Sequence, residues 1–167
     1  MLQEFIGVKE ALKRGVDSAE LGQEKKVAKH LFETCKEWSR ILCETFDAAA
    51  EKWERRDMAG AGNDIMILES EFYKLDYYHL EDSSPTLLNL RQDPRFAPLA
   101  EACAGFFKCA LYVKGLVHGE FIDSAGKYSS HQGTPIRHLV VLWKEELDKA
   151  MRKVSFAYQS VEQLVEQ

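Results

Sequence analysis

The C-terminal part of the chain carries the feature that most constrains its fold, a long run of apolar residues at alternating spacings of four and three. This repeat places every apolar side chain on one stripe of an α-helix, and other helices must cover that stripe. A helix start follows from Thr134–Pro135, because proline is tolerated in a first helical turn. We predict a helix from about residue 135 almost to the C-terminus, with this stripe: Ile136, Val140, Trp143, Leu147, Ala150, Val154, Ala157, Val161 and Leu164.

A second long helix is predicted between residues 17 and 57, which contain no proline. Asp17 or Ser18 can cap its start, since short polar side chains accept hydrogen bonds from the first free N–H groups. Its apolar stripe keeps the same spacing, with polar interruptions at Glu24 and Thr45. The stripe comprises Leu21, Ala28, Leu31, Cys35, Trp38, Leu42 and Ala49.

Turn-forming residues divide the rest of the chain into shorter helices. A first helix is predicted over residues 2–14. The cluster of Gly60, Gly62 and Asn63 predicts a break in the chain, after which Asn63 caps a helix that continues to about residue 80.

Two proline signals predict the starts of the next helices. Ser84–Pro85 indicates a cap followed by a first-turn proline, for a short helix over residues 85–91. A similar pair, Asp93–Pro94, precedes a helix that runs to about residue 117, in which Pro98 is tolerable only within the first turn. We predict no helix over residues 119–133. The stripe of the helix ending near 117 is predicted to contain Leu99, Ala102, Phe106, Cys109, Val113 and Leu116, with Cys103, Ala110 and Val117 alongside.

Strand signals are nearly absent, because no segment alternates between apolar and polar residues with a period of two. Several amphipathic helices with sustained stripes predict an all-α fold, an antiparallel four- to five-helix bundle with long second and C-terminal helices. With 167 residues, the chain is long enough for one complete core, so we expect a single helical domain over residues 1–167.

Charge and composition narrow the range of partners. A formal net charge of −5 argues against broad nucleic-acid binding, which we keep as a less favoured alternative. No apolar run approaches the roughly 20 residues of a membrane-spanning helix, and we expect no membrane contact. The first ten residues contain acids and lack the apolar centre of a signal peptide. None of the four cysteines forms a Cys-x-x-Cys motif, so we interpret them as buried, reduced thiols of a cytoplasmic protein.

Two pairs of acidic residues at a spacing of three are candidate metal ligands, since such pairs hold Mg²⁺ in helical hydrolases. The two pairs are Glu51 with Glu54 and Glu145 with Asp148. The neighbouring apolar residues direct all four carboxylates away from the predicted core. A metal-dependent helical hydrolase therefore remains only a second alternative.

Asp76 and His79 form the other weak metal candidate, because three residues separate them and His79 lies on an apolar stripe. A zinc or di-iron site needs three or more converging ligands, and no second copy of this pair exists in the sequence. We favour a hydrogen-bonded histidine near the end of the bundle and predict no cofactor.

Residues 119–138 contain one candidate ligand site. Cationic and hydroxyl side chains cluster around the start of the last helix, where free N–H groups and the helix dipole attract anions. This pattern predicts binding of a phosphate or carboxylate, although a solvated surface loop explains the same residues. The candidate residues are Lys127, Ser130, His131, Thr134, Arg137 and His138.

Taken together, these patterns favour a non-enzymatic protein–protein interaction module: a subunit, adaptor, regulator or immunity-type inhibitor that acts through long amphipathic helices. Long apolar stripes that exceed their shorter neighbours are usually covered by another chain, so we expect a protein partner or a homodimer. The first alternative is a helical module that binds a phosphate ligand or nucleic acid through residues 119–138. No nucleophile or phosphate-loop motif supports an enzyme.

Overall fold

The computed structural model describes residues 21–74, 84–123 and 135–164, which form five α-helices and one π-helical turn and contain no strand. The predicted all-α class is therefore confirmed. The helix predicted over residues 2–14 lies outside the described residues. The elements are α1 (Leu21–Glu54), α2 (Met58–Lys74), α3 (Pro85–Arg91), α4 (Ala97–His118), the π-helical turn (Gly119–Asp123) and α5 (Ile136–Glu162).

The chain divides into two compact units. Among the described residues, unit 1 draws on 21–37, 84–108 and 150–164, and unit 2 on 38–74, 109–123 and 135–149. The single domain expected over residues 1–167 stays a prediction. None of the helices in these ranges combines the length and apolar character that a membrane crossing requires.

The predicted apolar stripes of the two long helices are confirmed by burial. All seven residues of the α1 stripe are buried, and so are seven of the nine in α5, with Ala150 and Leu164 half-buried. In α4, three residues of the predicted stripe and the three predicted alongside it are buried, whereas Ala102, Cys109 and Leu116 are only half-buried. The buried stripe begins before the helix and follows its own alternation of three and four: Phe96, Leu99, Cys103, Phe106, Ala110, Val113 and Val117.

In unit 1, α1 and α5 run antiparallel. The rings of Phe32 and Tyr158 stack with centroids 4.3 Å apart, and the Lys25 Nζ donates a hydrogen bond of 2.8 Å to the Leu164 carbonyl oxygen. Lys25 contacts Leu164 and Phe32 contacts Tyr158, so a higher residue number in α1 corresponds to a lower one in α5, as in antiparallel helices. The pair buries Leu31 and Cys35 of α1 within the core of this unit.

The start of α3 confirms a predicted cap. Ser84 is the N-cap, its hydroxyl oxygen accepts from the Leu87 N–H at 3.4 Å, and Pro85 occupies the first helical position. Pro98 is the second residue of α4, so it lies within the first turn as predicted. Both prolines are tolerated because N–H groups in a first turn have no acceptor within the helix.

An ion-pair cluster connects the turn before α4 to α1 within unit 1. The Arg95 guanidinium donates to both carboxylate oxygens of Asp93, with the closest contact at 2.6 Å, and it lies 3.5 Å from Glu24 Oε2. Glu24 interrupts the apolar stripe of α1 and is buried, and the contact with Arg95 explains how that carboxylate is accommodated. The hydrogen bonds from Arg95 lower the pKa of Asp93 to about 2.

Unit 2 is a four-helix arrangement in which consecutive helices alternate in direction. Salt bridges of 2.8 Å join Asp47 to Lys144 and Glu54 to Arg137, so α1 and α5 are antiparallel here too. The core contains edge-to-face aromatic pairs, with centroid distances of 6.0 Å for Phe46–Trp143, 5.4 Å for Trp53–Phe121 and 6.2 Å for Phe121–Trp143. The predicted antiparallel helical bundle is confirmed by this up-down arrangement.

The break predicted at Gly60, Gly62 and Asn63 is wrong, because all three residues lie inside α2. The chain turns earlier, at Arg56, whose φ of 64° is left-handed. The Asp57 N–H donates to the Lys52 carbonyl and the Arg56 N–H to the Trp53 carbonyl, which completes a helix-ending Schellman motif.

Asp57 then starts α2 immediately. Its side-chain Oδ1 accepts from the Gly60 N–H at 2.9 Å, so the cap is Asp57 rather than the predicted Asn63. A Cβ atom at Gly60 would lie 2.2 Å from Asp57 Oδ2, which shows why a residue without a side chain fits this position.

Part of the segment predicted to be non-helical, residues 119–133, continues as the π-helical turn. The turn buries Phe121 and Glu120, which extends the buried stripe of α4 beyond His118. Gly62 of α2 lies beside this turn, where a Cβ atom would be 3.4 Å from Ile122 Cδ1, an ordinary van der Waals contact. Residues 124–134 lie outside the described part of the chain.

We expect Gly60→Ala to be less stable than Gly115→Ala by about 1–2 kcal/mol in the free energy of unfolding, measured by urea denaturation. Gly115 lies in a helix with no atom near its missing Cβ, so alanine there gains helix propensity. At Gly60 the same gain is offset because the new methyl displaces the capping carboxylate of Asp57. Equal stability of the two variants would contradict the cap assigned to Asp57.

We expect Asp93→Asn to lower the free energy of unfolding by about 1 kcal/mol near neutral pH, a modest figure because Arg95 is partly exposed. The folded pKa of Asp93 is lowered, so its contribution is present above the ordinary carboxyl pKa and is lost as pH falls towards about 2. Urea denaturation at several pH values checks this. The control, Glu145→Gln, removes an exposed carboxylate, and an equally large effect from it would refute a special role for Asp93.

Candidate functional site

Two of the six predicted anion-site residues lie in the described part of the chain, at the start of α5. Arg137 and His138 are both exposed. The Arg137 Nε donates to Glu54 Oε1 at 2.8 Å, so its charge is paired with a carboxylate of α1. The other four residues, Lys127, Ser130, His131 and Thr134, lie outside the described residues, and the anion site stays a prediction.

The residues weighed as metal ligands fall into two groups. Asp76 and His79 lie outside the described ranges. The four paired acids are exposed, as their helical register predicts; they are Glu51, Glu54, Glu145 and Asp148. Across residues 21–74, 84–123 and 135–164, no three His, Cys, Asp or Glu side chains converge on a position that would hold a metal ion.

A histidine–carboxylate pair joins α2 to α4 in unit 2. His118 Nδ1 and Glu69 Oε1 are 2.5 Å apart, and both side chains are partly buried. His118 is half-buried and lies outside the core. Its contact with Glu69 connects two helices, which gives it a structural role in the bundle.

A surface groove lies between α1 and α5 in unit 2, with a volume of about 420 Å³. Both interhelical salt bridges border it: Lys144 donates to Asp47 and Arg137 to Glu54, each at 2.8 Å. The hydrogen bond to Asp47 also raises the pKa of Lys144. We call this the α1/α5 groove; its lining residues are Ser39, Cys43, Asp47, Arg137, Val140, Val141, Lys144, Glu145 and Asp148.

The Cys43 thiol lines the α1/α5 groove, and its surroundings keep the thiol protonated. Burial is the largest influence and raises the pKa of the Cys43 thiol. Lys144 opposes this rise through its charge, whereas Asp47 adds to it. A thiol must lose its proton before it attacks an electrophile or binds a metal, so this position lacks the activation typical of catalytic cysteines.

The remaining cysteines have similar surroundings. Cys35 and Cys103 are fully buried in unit 1, and burial raises the pKa of the Cys35 thiol well above its usual range. The Cys109 thiol in unit 2 donates to the Glu146 carbonyl oxygen at 3.5 Å, and burial raises its pKa too. All four cysteines are free thiols, and two of them are buried as predicted while Cys43 and Cys109 are half-buried.

A second groove lies between α1 and α2 in unit 2, with a volume of about 350 Å³. Its walls are largely apolar, and three carboxylates accompany a single cation, Lys52. Lys52 Nζ donates to Asp64 Oδ1 at 2.8 Å, while Asp64 Oδ2 is buried and accepts no hydrogen bond from the described residues. We call this the α1/α2 groove; its lining residues are Ile41, Glu44, Thr45, Ala48, Lys52, Asp64, Ile67, Leu68 and Glu71.

Sequence reasoning did not identify either groove. One signal for the α1/α2 groove was present, since Thr45 interrupts the apolar stripe of α1 and lines the groove that results. The α1/α5 groove had no such signal, because its charged residues pair across two helices about 100 positions apart, as Asp47 and Lys144 show.

Comparison with known proteins identifies no relative. No protein-family model, no curated protein and no solved structure matches this chain. The two grooves and the exposed side chains around them are therefore the features on which a function must be argued.

We expect Lys144→Met to slow alkylation of Cys43 by iodoacetamide about three- to tenfold near neutral pH, because loss of the ammonium group raises the thiol pKa further. Cys109, whose raised pKa does not depend on Lys144, is the internal control. Peptide mass spectrometry at successive reaction times measures both rates. Because the pKa of each thiol is raised, both alkylation rates should still increase at pH values where the rate of free cysteine no longer changes. Equal slowing of Cys43 and Cys109 by Lys144→Met would contradict the influence assigned to Lys144.

Proposed function

We propose that the chain is a non-enzymatic protein–protein interaction module that acts through its long amphipathic helices, as a subunit, adaptor, regulator or immunity-type inhibitor. One observation carries the proposal: large apolar side chains remain exposed on the described parts of α2, α4 and α5 in unit 2. Such surfaces in water-exposed proteins mark contacts with other chains. These side chains are Met58, Met66, Ile67, Leu111, Tyr112, Val141 and Leu142.

The register of α4 and α5 brings two of these residues to the same level of the two helices. The Cys109–Glu146 hydrogen bond aligns the two antiparallel helices. One turn further along each helix from that bond lie Tyr112 and Leu142, which are 67% and 54% exposed. An exposed tyrosine beside an exposed leucine is typical of protein interfaces, where aromatic residues are enriched. We call this pair the α4/α5 face.

The chemistry of the charged groups supports a binding role over a catalytic one. Arg137 and Lys144 are engaged in interhelical salt bridges, and burial raises the pKa of the Cys43 thiol. The anion-site alternative rests on four residues outside the described part of the chain, and we do not favour it. Cytoplasmic residence belongs to the proposal and is supported by the four free thiols.

A photo-crosslinking amino acid, benzophenone-alanine, at Leu142 tests this proposal in extracts of the source cells. We expect one discrete cross-linked species, because a specific interface presents one surface to the probe. The matched control carries the same probe at Gln159, an exposed polar position of α5. The masses of the products distinguish a second copy of this chain from a different protein. Identical product patterns from Leu142 and Gln159, or no product from either, would overturn the proposal.

A further inference from the structure

Two cysteines meet in the core of unit 1. Cys35 belongs to the buried stripe of α1 and Cys103 to the buried stripe of α4, and both side chains are 0% exposed. A side-chain hydrogen bond joins the two thiol groups. The salt bridge of Arg95 with Glu24 holds the turn before α4 against α1 in the same unit. The core of unit 1 therefore contains a dithiol whose two sulfur atoms come from different helices.

The surroundings of this dithiol protect it while the unit is closed. Both cysteines are free thiols, and burial raises the pKa of the Cys35 thiol well above its usual range, with a further contribution from Cys103. A thiol must lose its proton before it attacks an oxidant. Reaction of the pair therefore requires unit 1 to open far enough for water and a small oxidant to enter, as local unfolding permits.

The other two thiols have partners of a different kind. The Cys43 thiol forms a hydrogen bond with Ser39, and the Cys109 thiol donates to the Glu146 carbonyl oxygen, both in unit 2. Disulfide formation needs two sulfur atoms that are already close together. Among the pairings that four cysteines permit, the structure therefore favours Cys35 with Cys103.

We propose that Cys35 and Cys103 form a reversible disulfide that locks α1 to α4 when the chain is exposed to hydrogen peroxide. One thiolate attacks a peroxide oxygen, the O–O bond breaks, hydroxide leaves and the sulfur becomes a sulfenic acid. The second thiol then attacks this sulfur, the S–O bond breaks and water leaves. The two thiols are oxidised to the disulfide, the peroxide is reduced to two water molecules, and a dithiol reductant reverses the linkage by exchange.

The bond stabilises unit 1 because it constrains the unfolded chain. A disulfide removes conformational entropy from the unfolded state, and the effect grows with the length of the loop that it closes, here the chain between residues 35 and 103. It also prevents α4 from separating from α1. This inference does not depend on the proposed function, since it concerns the redox state of the core and not a partner.

Peroxide treatment of the full-length chain, at a urea concentration just below its unfolding transition, tests the inference. We expect the intact mass to fall by about 2 Da, for the two hydrogens lost, and digestion without reductant to release linked peptides that contain Cys35 and Cys103. After removal of urea and peroxide, the Tm should exceed that of the reduced chain by roughly 5–15 °C. Dithiothreitol should return the Tm to its starting value.

Two variants provide the comparison. Cys103→Ala removes one member of the pair and should show neither the linkage nor a reversible rise in Tm. The matched control combines Cys43→Ser with Cys109→Ser, which removes the two half-buried thiols and should retain both effects. If Cys103→Ala does not fold, the wild-type chain still decides, because its own Tm is measured before and after addition of the reductant.

Three results would overturn the inference. The first is recovery of Cys35 and Cys103 unlinked, whether as thiols or as separate sulfinic acids. The second is a mixture in which the four cysteines are paired without preference, since contact in the folded core then does not direct the reaction. The third is a linked chain whose Tm is unchanged or lower, because the bond then does not hold the unit closed.

Discussion

The antiparallel packing of α1 against α5 is the interaction on which both units depend. In unit 1 it is made by the stacked rings of Phe32 and Tyr158, and in unit 2 by edge-to-face packing of Phe46 on Trp143. These helices lie near opposite ends of the described chain, so bringing them together closes a long loop at a considerable cost in conformational entropy. Only a continuous apolar stripe on each helix buries enough surface to offset that cost.

This dependence explains which parts of the fold were predictable. A stripe of regular spacing determines which face of a helix is buried, so α1 and α5 could be located and oriented from sequence alone. Local caps were also predictable where one side chain completes them, as Ser84 does at the start of α3. In α4 the predicted apolar residues lie on two adjacent faces of the helix, and only packing selects the face that is fully buried.

The junction of α1 and α2 shows why the remaining boundaries were not predictable. Glycine usually provides the left-handed residue that ends a helix, and the sequence offers Gly60 and Gly62 close by. Here Arg56 adopts that conformation instead, at a steric cost that two hydrogen bonds to α1 carbonyls and the immediate cap by Asp57 offset. Gly60 and Gly62 lie inside α2 instead, and Gly60 leaves room for the capping carboxylate of Asp57.

The candidate sites were the least predictable feature, because their chemistry depends on partners distant in sequence. Arg137 at a helix start predicts attraction of an anion, but its salt bridge with Glu54, 83 positions earlier, could not be foreseen from that local pattern. The α1/α2 groove similarly needs two helices to define it, and Thr45 alone indicates only that the stripe of α1 is interrupted. Cationic residues at a helix start predict a positive electrostatic potential there. The partners that those cations have in the folded chain are set by residues distant in sequence.

The balance between overall and local charge bears on which partner the grooves admit. A net charge of −5 makes two copies repel each other at long range, and this repulsion weakens beyond roughly 8–10 Å in physiological salt. At the α1/α2 groove, Glu44 is paired with Arg40 at 2.7 Å and Asp64 with Lys52 at 2.8 Å, so contact there depends more on its apolar walls than on unbalanced charge.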